Sequence, residues 1–162
     1  TEKYKPEQGR AKNRLLEKGT LYVADMSRGV WIPLTIEALR QKALDKGNEK
    51  ILSKFKTEAD LLVNTHEAAI FLGGTPTDRP EDVEIHPFDQ TLYIAPTNNG
   101  RHGNIHGHIT RFIEANHDLG ALSVDFEIFA AGGCQSGFSA LDNLTFDREG
   151  NLWTITDISR VN

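Results

Sequence analysis

Hydrophobic and polar positions alternate with a strand-like period over the second half of the chain. Only between residues 35 and 73 does the pattern lengthen to a helical one. From Val83 onward, residues 83–86, 92–97, 108–113, 123–129, 144–147 and 152–156 form short runs rich in β-branched and aromatic side chains. Turn formers separate them: Pro87-Phe88-Asp89, Asn98-Asn99-Gly100, Asp118-Leu119-Gly120 and Arg148-Glu149-Gly150-Asn151. Earlier, residues 19–26 and 30–34 read as a hairpin about Ser27-Arg28-Gly29. A short helix is expected at 35–40, closed by Lys46-Gly47-Asn48. A longer one is expected at 57–72, with Thr57 as N-cap, Asp60 at its third position and Gly73-Gly74 as the stop. Residues 1–18 show little apolar periodicity and read as a lead-in segment.

Many short strands favour a sandwich, a barrel or a propeller, and an internal repeat selects among them. Glu81-Asp82-Val83-Glu84-Ile85-His86, a turn and Leu92-Tyr93-Ile94-Ala95 end in Thr97-Asn98. Asp142-Asn143-Leu144-Thr145-Phe146-Asp147, a turn and Leu152-Trp153-Thr154-Ile155 end in Thr156-Asp157. Glu81 and Asp142 stand 61 positions apart, and Leu92 and Leu152 stand 60. Gly19-Thr20-Leu21-Tyr22-Val23-Ala24-Asp25 is a half-copy. Propeller blades recur at about 40–50 residues, with loop insertions stretching the period. The expected fold is therefore mainly β with a helical insertion around 35–73. It is a single partial β-propeller domain over 1–162, about three blades where closure needs about four or more, and so a fragment of a longer chain.

Composition narrows the chemistry. The 162 residues are 38% hydrophobic and 25% charged, a soluble globular balance. A net charge of −5 argues against a duplex nucleic-acid surface. No apolar run approaches the roughly 20 residues of a membrane span. Thr1 to Pro6 is polar, so the compartment is not legible from that end. The single cysteine, Cys134, excludes an internal disulfide and lies in a Gly-rich loop without a placed partner for nucleophilic work.

In a propeller the innermost strand of each blade lines a channel, so repeat-matched Glu81 and Asp142 converge there. Asp82 and Asn143 follow them, and Asn98, Asn99 and Asp157 close the adjacent strands. Carboxylates and amides without thiolates suit a hard cation such as calcium; the competing reading of the amides is as turn formers. Arg79, just upstream, has the planar donor fork that fits phosphate oxygens. His106 and His108 alternate along an extended Gly-flanked segment near His102, which leaves open a transition-metal site or a plain loop.

The run from Thr75 to Pro87, with Arg79-Pro80-Glu81-Asp82 at its centre, resembles the hallmark of PhoX-type alkaline phosphatases. Tyr4 to Arg10, Gly19 to Ala24, Thr97-Asn98-Asn99, Gly107-His108-Ile109, Ser139 to Asp147 and Gly150 to Asp157 are similar in order and spacing. The resemblance implies a six-bladed propeller and an exported phosphomonoesterase dependent on calcium and iron, acting on small phosphate esters. It implies Arg79 as the phosphate holder and a catalytic residue, and Glu81 as a metal ligand and catalytic residue. Asp142 is implied as a further ligand, with Asn98, Asn99 and Asn143 as weaker ones. Thr77 stands where such sequences often carry Met. The family's iron-binding cysteine and a further glutamate come from upstream of this region, and Cys134 is in the wrong segment to replace that cysteine. Two other readings stay open: a calcium-dependent propeller lactonase, and an inactive structural or binding fragment. Oligomeric state is not legible.

Overall fold

Residues 19–157 are described by the computed structural model; the expected lead-in segment and the motif at residues 4–10 lie outside them. The chain divides into two compact units, one of residues 19–25 and 31–75, the other of residues 26–30 and 76–157.

The first unit is built by capped helices on a hairpin. Strands β1 (Leu21–Asp25) and β2 (Val30–Leu34) pair. Helix α1 (Ile36–Asp45) starts where the Thr35 side chain accepts from Ala38 N–H, and it buries Leu39 and Ala43. Helix α2 (Glu49–Lys54) is capped by Asn48 and buries Ile51. Helix α3 (Glu58–Val63) carries the expected reciprocal capping box of Thr57 and Asp60. Helix α4 (Thr65–Leu72) ends at Gly73, left-handed at φ 103°. Leu34, Leu39, Ala43, Ile51, Phe55, Leu61, Ala68 and Leu72 make one core.

Two helical expectations need correction. The run 57–72 is not one helix but two, because side chains compete for its backbone at the junction. Asn64 Nδ2 donates to Asp60 O at 2.8 Å and Thr65 Oγ1 donates to Leu61 and Leu62 carbonyls, while Asn64 leaves helical backbone angles. Helix α1 runs past the expected 35–40 span to Asp45, where Ala43 adds a second buried turn below Leu39, and it closes at the expected Lys46 turn.

In the second unit β3 (Pro80–Ile85), β4 (Leu92–Pro96), β5 (His108–Glu114) and β6 (Val124–Ala131) form an antiparallel sheet in that order. Strands β7 (Leu141–Phe146) and β8 (Leu152–Thr156) form a separate hairpin. The architecture is thus mainly β with a few helices, in open antiparallel sheets.

The sequence repeat is reproduced down to single hydrogen bonds. Arg79 and Ala140, each two residues before the repeat's acid, are both left-handed, at φ 54° and 52°. Arg79 O accepts from Thr97 N at 3.1 Å, and Ala140 O accepts from Asp157 N at 2.8 Å. At the far ends, His86 N donates to Thr91 O and Asp147 N donates to Asn151 O. Both first strands carry a bulge, between Pro80 and Asp82 and between Leu141 and Leu144. The two copies pack through a core of Tyr93, Ala95, Ile109, Leu141 and Leu144.

The second hairpin is clamped at its turn by Asp147. Its carboxylate accepts from Trp153 Nε1, Asn151 Nδ2 and the backbone N–H groups of Glu149 and Asn151. These bonds, the Trp153 indole first and then the Asn151 amide, lower its pKa to about 2. A depressed folded-state pKa means the stabilisation is present above the ordinary value near 3.8 and lost as pH falls from there toward about 2. Titrating Trp153 fluorescence from pH 7 to 2 should therefore show turn opening within that window. Asp147→Asn should show the opened signal already at neutral pH. An acid-insensitive indole signal, or a variant indistinguishable from the parent, would contradict this assignment.

Candidate functional site

Antiparallel order decides which residues meet. The starts of β3, β5 and β7 and the ends of β4, β6 and β8 all fall at one end of the second unit. Arg79, Glu81, Asn98, Asn99, the loop of residues 100–107, Ser139 and Asp142 therefore cluster there rather than scatter along the sheet.

Arg79 is the most constrained of these. A non-glycine residue in the left-handed region costs roughly 1–3 kcal/mol, and here Pro80 follows, which restricts its backbone further. The Thr97–Arg79 backbone bond holds that conformation. It turns the guanidinium back toward the end of β4, where Nη1 donates to Asn98 Oδ1 at 2.9 Å. Nη2 lies 3.4 Å from Glu81 Oε1. The Arg79 side chain is 62% exposed, so its remaining N–H donors face outward and can take an anion.

Glu81 is at the surface beside Arg79, and its repeat counterpart Asp142 is half-buried at the start of β7. The Asp142 side chain makes no hydrogen bond or ion pair with the described residues, whereas that of Asp82 is committed. Its Oδ2 accepts from Leu144 N at 2.7 Å, tying β3 to β7 and bringing the two copies into register. Asn143 is exposed, and its carbonyl accepts from Thr154 Oγ1. Asn98 Oδ1 is engaged by Arg79, and Asn99 Oδ1 caps the turn of Gly100–His102 by accepting from Arg101 N. Cys134 is exposed in the β6–β7 loop. Among the described residues no three His, Cys, Asp or Glu side chains are grouped closely enough to hold a metal ion.

A second polar group involves Asp78, the chain neighbour of Arg79; sequence reasoning marked its histidines but not Asp78 or Asn104. Asp78 Oδ1 is 2.7 Å from His102 Nδ1, and Asp78 Oδ2 accepts from Asn104 Nδ2 at 3.0 Å. A carboxylate only accepts, so His102 carries its proton on Nδ1. Burial acts to raise the Asp78 carboxyl, but hydrogen bonds from Asn104, His102 and Asn99 outweigh it and hold it below the ordinary range. Asn104 Nδ2 also donates to His108 Nδ1 at 3.0 Å, and Asn104 Oδ1 accepts from Gly107 N. Burial lowers the His108 pKa, with Asp78 opposing. His106 Nδ1 is 3.1 Å from Ser139 Oγ. Each of these histidines is thus held through its Nδ1 by a neighbouring polar side chain.

Known proteins bear on this arrangement. A family model, alkaline phosphatase PhoX, matches residues 1–162. The solved structure of Pseudomonas fluorescens PhoX in complex with vanadate, a transition state analogue, is similar in fold. Its TM-score is 0.72 and its identity 24%, over 94% of this chain and 32% of that one. The chain therefore spans about a third of the length of that structure. No curated protein sequence matches it.

Proposed function

Because the chain belongs to the PhoX alkaline phosphatase family, we propose that the protein carrying it hydrolyses phosphate monoesters, with Arg79 binding the phosphoryl group. The supporting observation is the Arg79 geometry. Its backbone is held in a costly conformation, its fork is steered by Asn98, and its outer donors are free. Groups of this kind are arranged for charge that develops in a transition state.

Glu81 and Asp142 are the proposed metal ligands, with Asn98, Asn99 and Asn143 as weaker candidates. Their donor set is hard oxygen, which fits calcium. Because no three such side chains group among the described residues, they fit as part of a ligand set and not as a whole one. Iron is the second metal of the proposal, and these candidates offer it oxygen donors only. When bound, such cations would supply Lewis-acid polarisation of the phosphoryl oxygens. The chain's own residues do the rest. Arg79 binds and orients the non-bridging oxygens, Asn98 keeps the guanidinium from rotating, and Glu81 balances its charge when no phosphate is present.

The sheets of the second unit are proposed as blades of a propeller completed by the longer protein, and export is proposed for it on family grounds. Among the described residues no helix is long and apolar enough to cross a membrane. Hydrolysis of p-nitrophenyl phosphate by the full-length protein, with inorganic phosphate as competitive inhibitor, tests the proposal. Turnover of a lactone with no phosphate inhibition would replace it with the lactonase reading. Neither activity would leave a binding role.

A further inference from the structure

Asp78, the chain neighbour of Arg79, lines an open concavity of about 340 Å³ together with Asn104, Ile105, His106, His108 and Ile128 among others. Its polar wall is fixed atom by atom. Both hydrogens of the Asn104 amide are spent, one on Asp78 Oδ2 and one on His108 Nδ1, and its oxygen is spent on Gly107 N. His108 Nδ1 is therefore an acceptor, and its proton sits on Nε2, which has no partner among the described residues. Asp78 has about four acceptor positions. His102 and Asn104 take two of them, which leaves acceptor capacity. The wall thus offers an N–H donor, His108 Nε2, beside a carboxylate with acceptor capacity left. The walls cannot easily shift. A Cβ on Gly107 would come within 2.1 Å of Thr97 O, and one on Gly132, which also lines the concavity, within 2.5 Å of His106 O.

We propose that this concavity is the subsite for the organic group of the phosphate ester, and that it selects hydroxyl-bearing groups, polyols and sugars, over aryl ones. A hydroxyl is both donor and acceptor, so it satisfies Asp78 and His108 Nε2 together. An aryl group satisfies neither and leaves both desolvated. The exposed Ile105 and Ile128 side chains offer apolar surface to the carbon skeleton. The negative Asp78 disfavours a second anionic group on the ester. The inference rests on the phosphatase reading and deepens it, and the two can fail separately.

The test compares kcat/KM for glycerol phosphate and for p-nitrophenyl phosphate in the full-length protein. His108→Leu should lower the polyol-to-aryl ratio by about three- to tenfold, the worth of one hydrogen bond, and mainly through KM. His108→Gln, whose amide can still donate, should recover part of the ratio. Equal losses on both substrates, or an unchanged ratio, would overturn the subsite. A parent protein that hydrolyses neither ester would overturn the phosphatase reading beneath it.

Discussion

Replacing Arg79 by alanine should lower kcat/KM for phosphate monoesters by about 10²–10³-fold, the scale on which removal of one preorganised transition-state donor is felt. Metal content should stay close to that of the parent. The reason is chemical: the guanidinium has only N–H donors and cannot itself ligate a cation, and it reaches Asn98 and Glu81 through those donors. Arg79→Lys should recover little, because an ammonium group has no fork to satisfy Asn98 and two phosphoryl oxygens at once. Asn98→Ala should fall between parent and Arg79→Ala, since it frees the guanidinium to rotate without removing its charge. Steady-state kinetics beside elemental analysis of the same preparations checks all three variants. Full activity in Arg79→Ala would remove the phosphate clamp from the account.

Replacing Glu81 should act differently. Glu81→Ala is expected to lower bound metal and turnover together, and by more than the roughly 10–100-fold that loss of an outer-shell partner costs. The side chain contributes little to packing, as it lies at the surface, so the fold should tolerate the change. Two readouts separate the roles: Arg79 variants lose rate and keep metal, while Glu81 variants lose both. If Glu81→Ala kept its metal and lost only rate, Glu81 would be a partner of Arg79 and nothing more. The ion pair at 3.4 Å is too exposed for its loss alone to produce a large effect.

What the sequence disclosed, and what it hid, divides along the range of the interactions. The β3–β4 and β7–β8 hairpins were legible because period-2 alternation and turn residues are local signals, and the structure matches the two copies bond for bond. The Thr57–Asp60 capping box and the Gly73 stop were legible for the same reason. The break at Asn64 was not, because side-chain bonds to Asp60 and Leu61 carbonyls override a continuous apolar pattern. Helix α2 was hidden by its six-residue length, too short to show a period.

At the site, Arg79, Glu81 and Asn98 stood out through residue type and motif, and the fold brings all three together. Asp78 and Asn104 did not. Their contact spans 26 positions and exists only once the residue 98–107 loop has folded back, with Asn99 capping its turn and Gly103 and Gly107 both at positive φ. Loop-mediated polar contacts of this kind leave no periodicity to read.

Whether Glu81 and Asp142 face one cation is the point on which the account turns. The decisive measurement is metal affinity by elemental titration in Glu81→Gln, Asp142→Asn and the double variant of the full-length protein. Ligands of a shared ion act as a unit, so each single change should weaken the same metal and the double change should add little more. Independent, additive losses, or two single variants that both retain the metal, would contradict it.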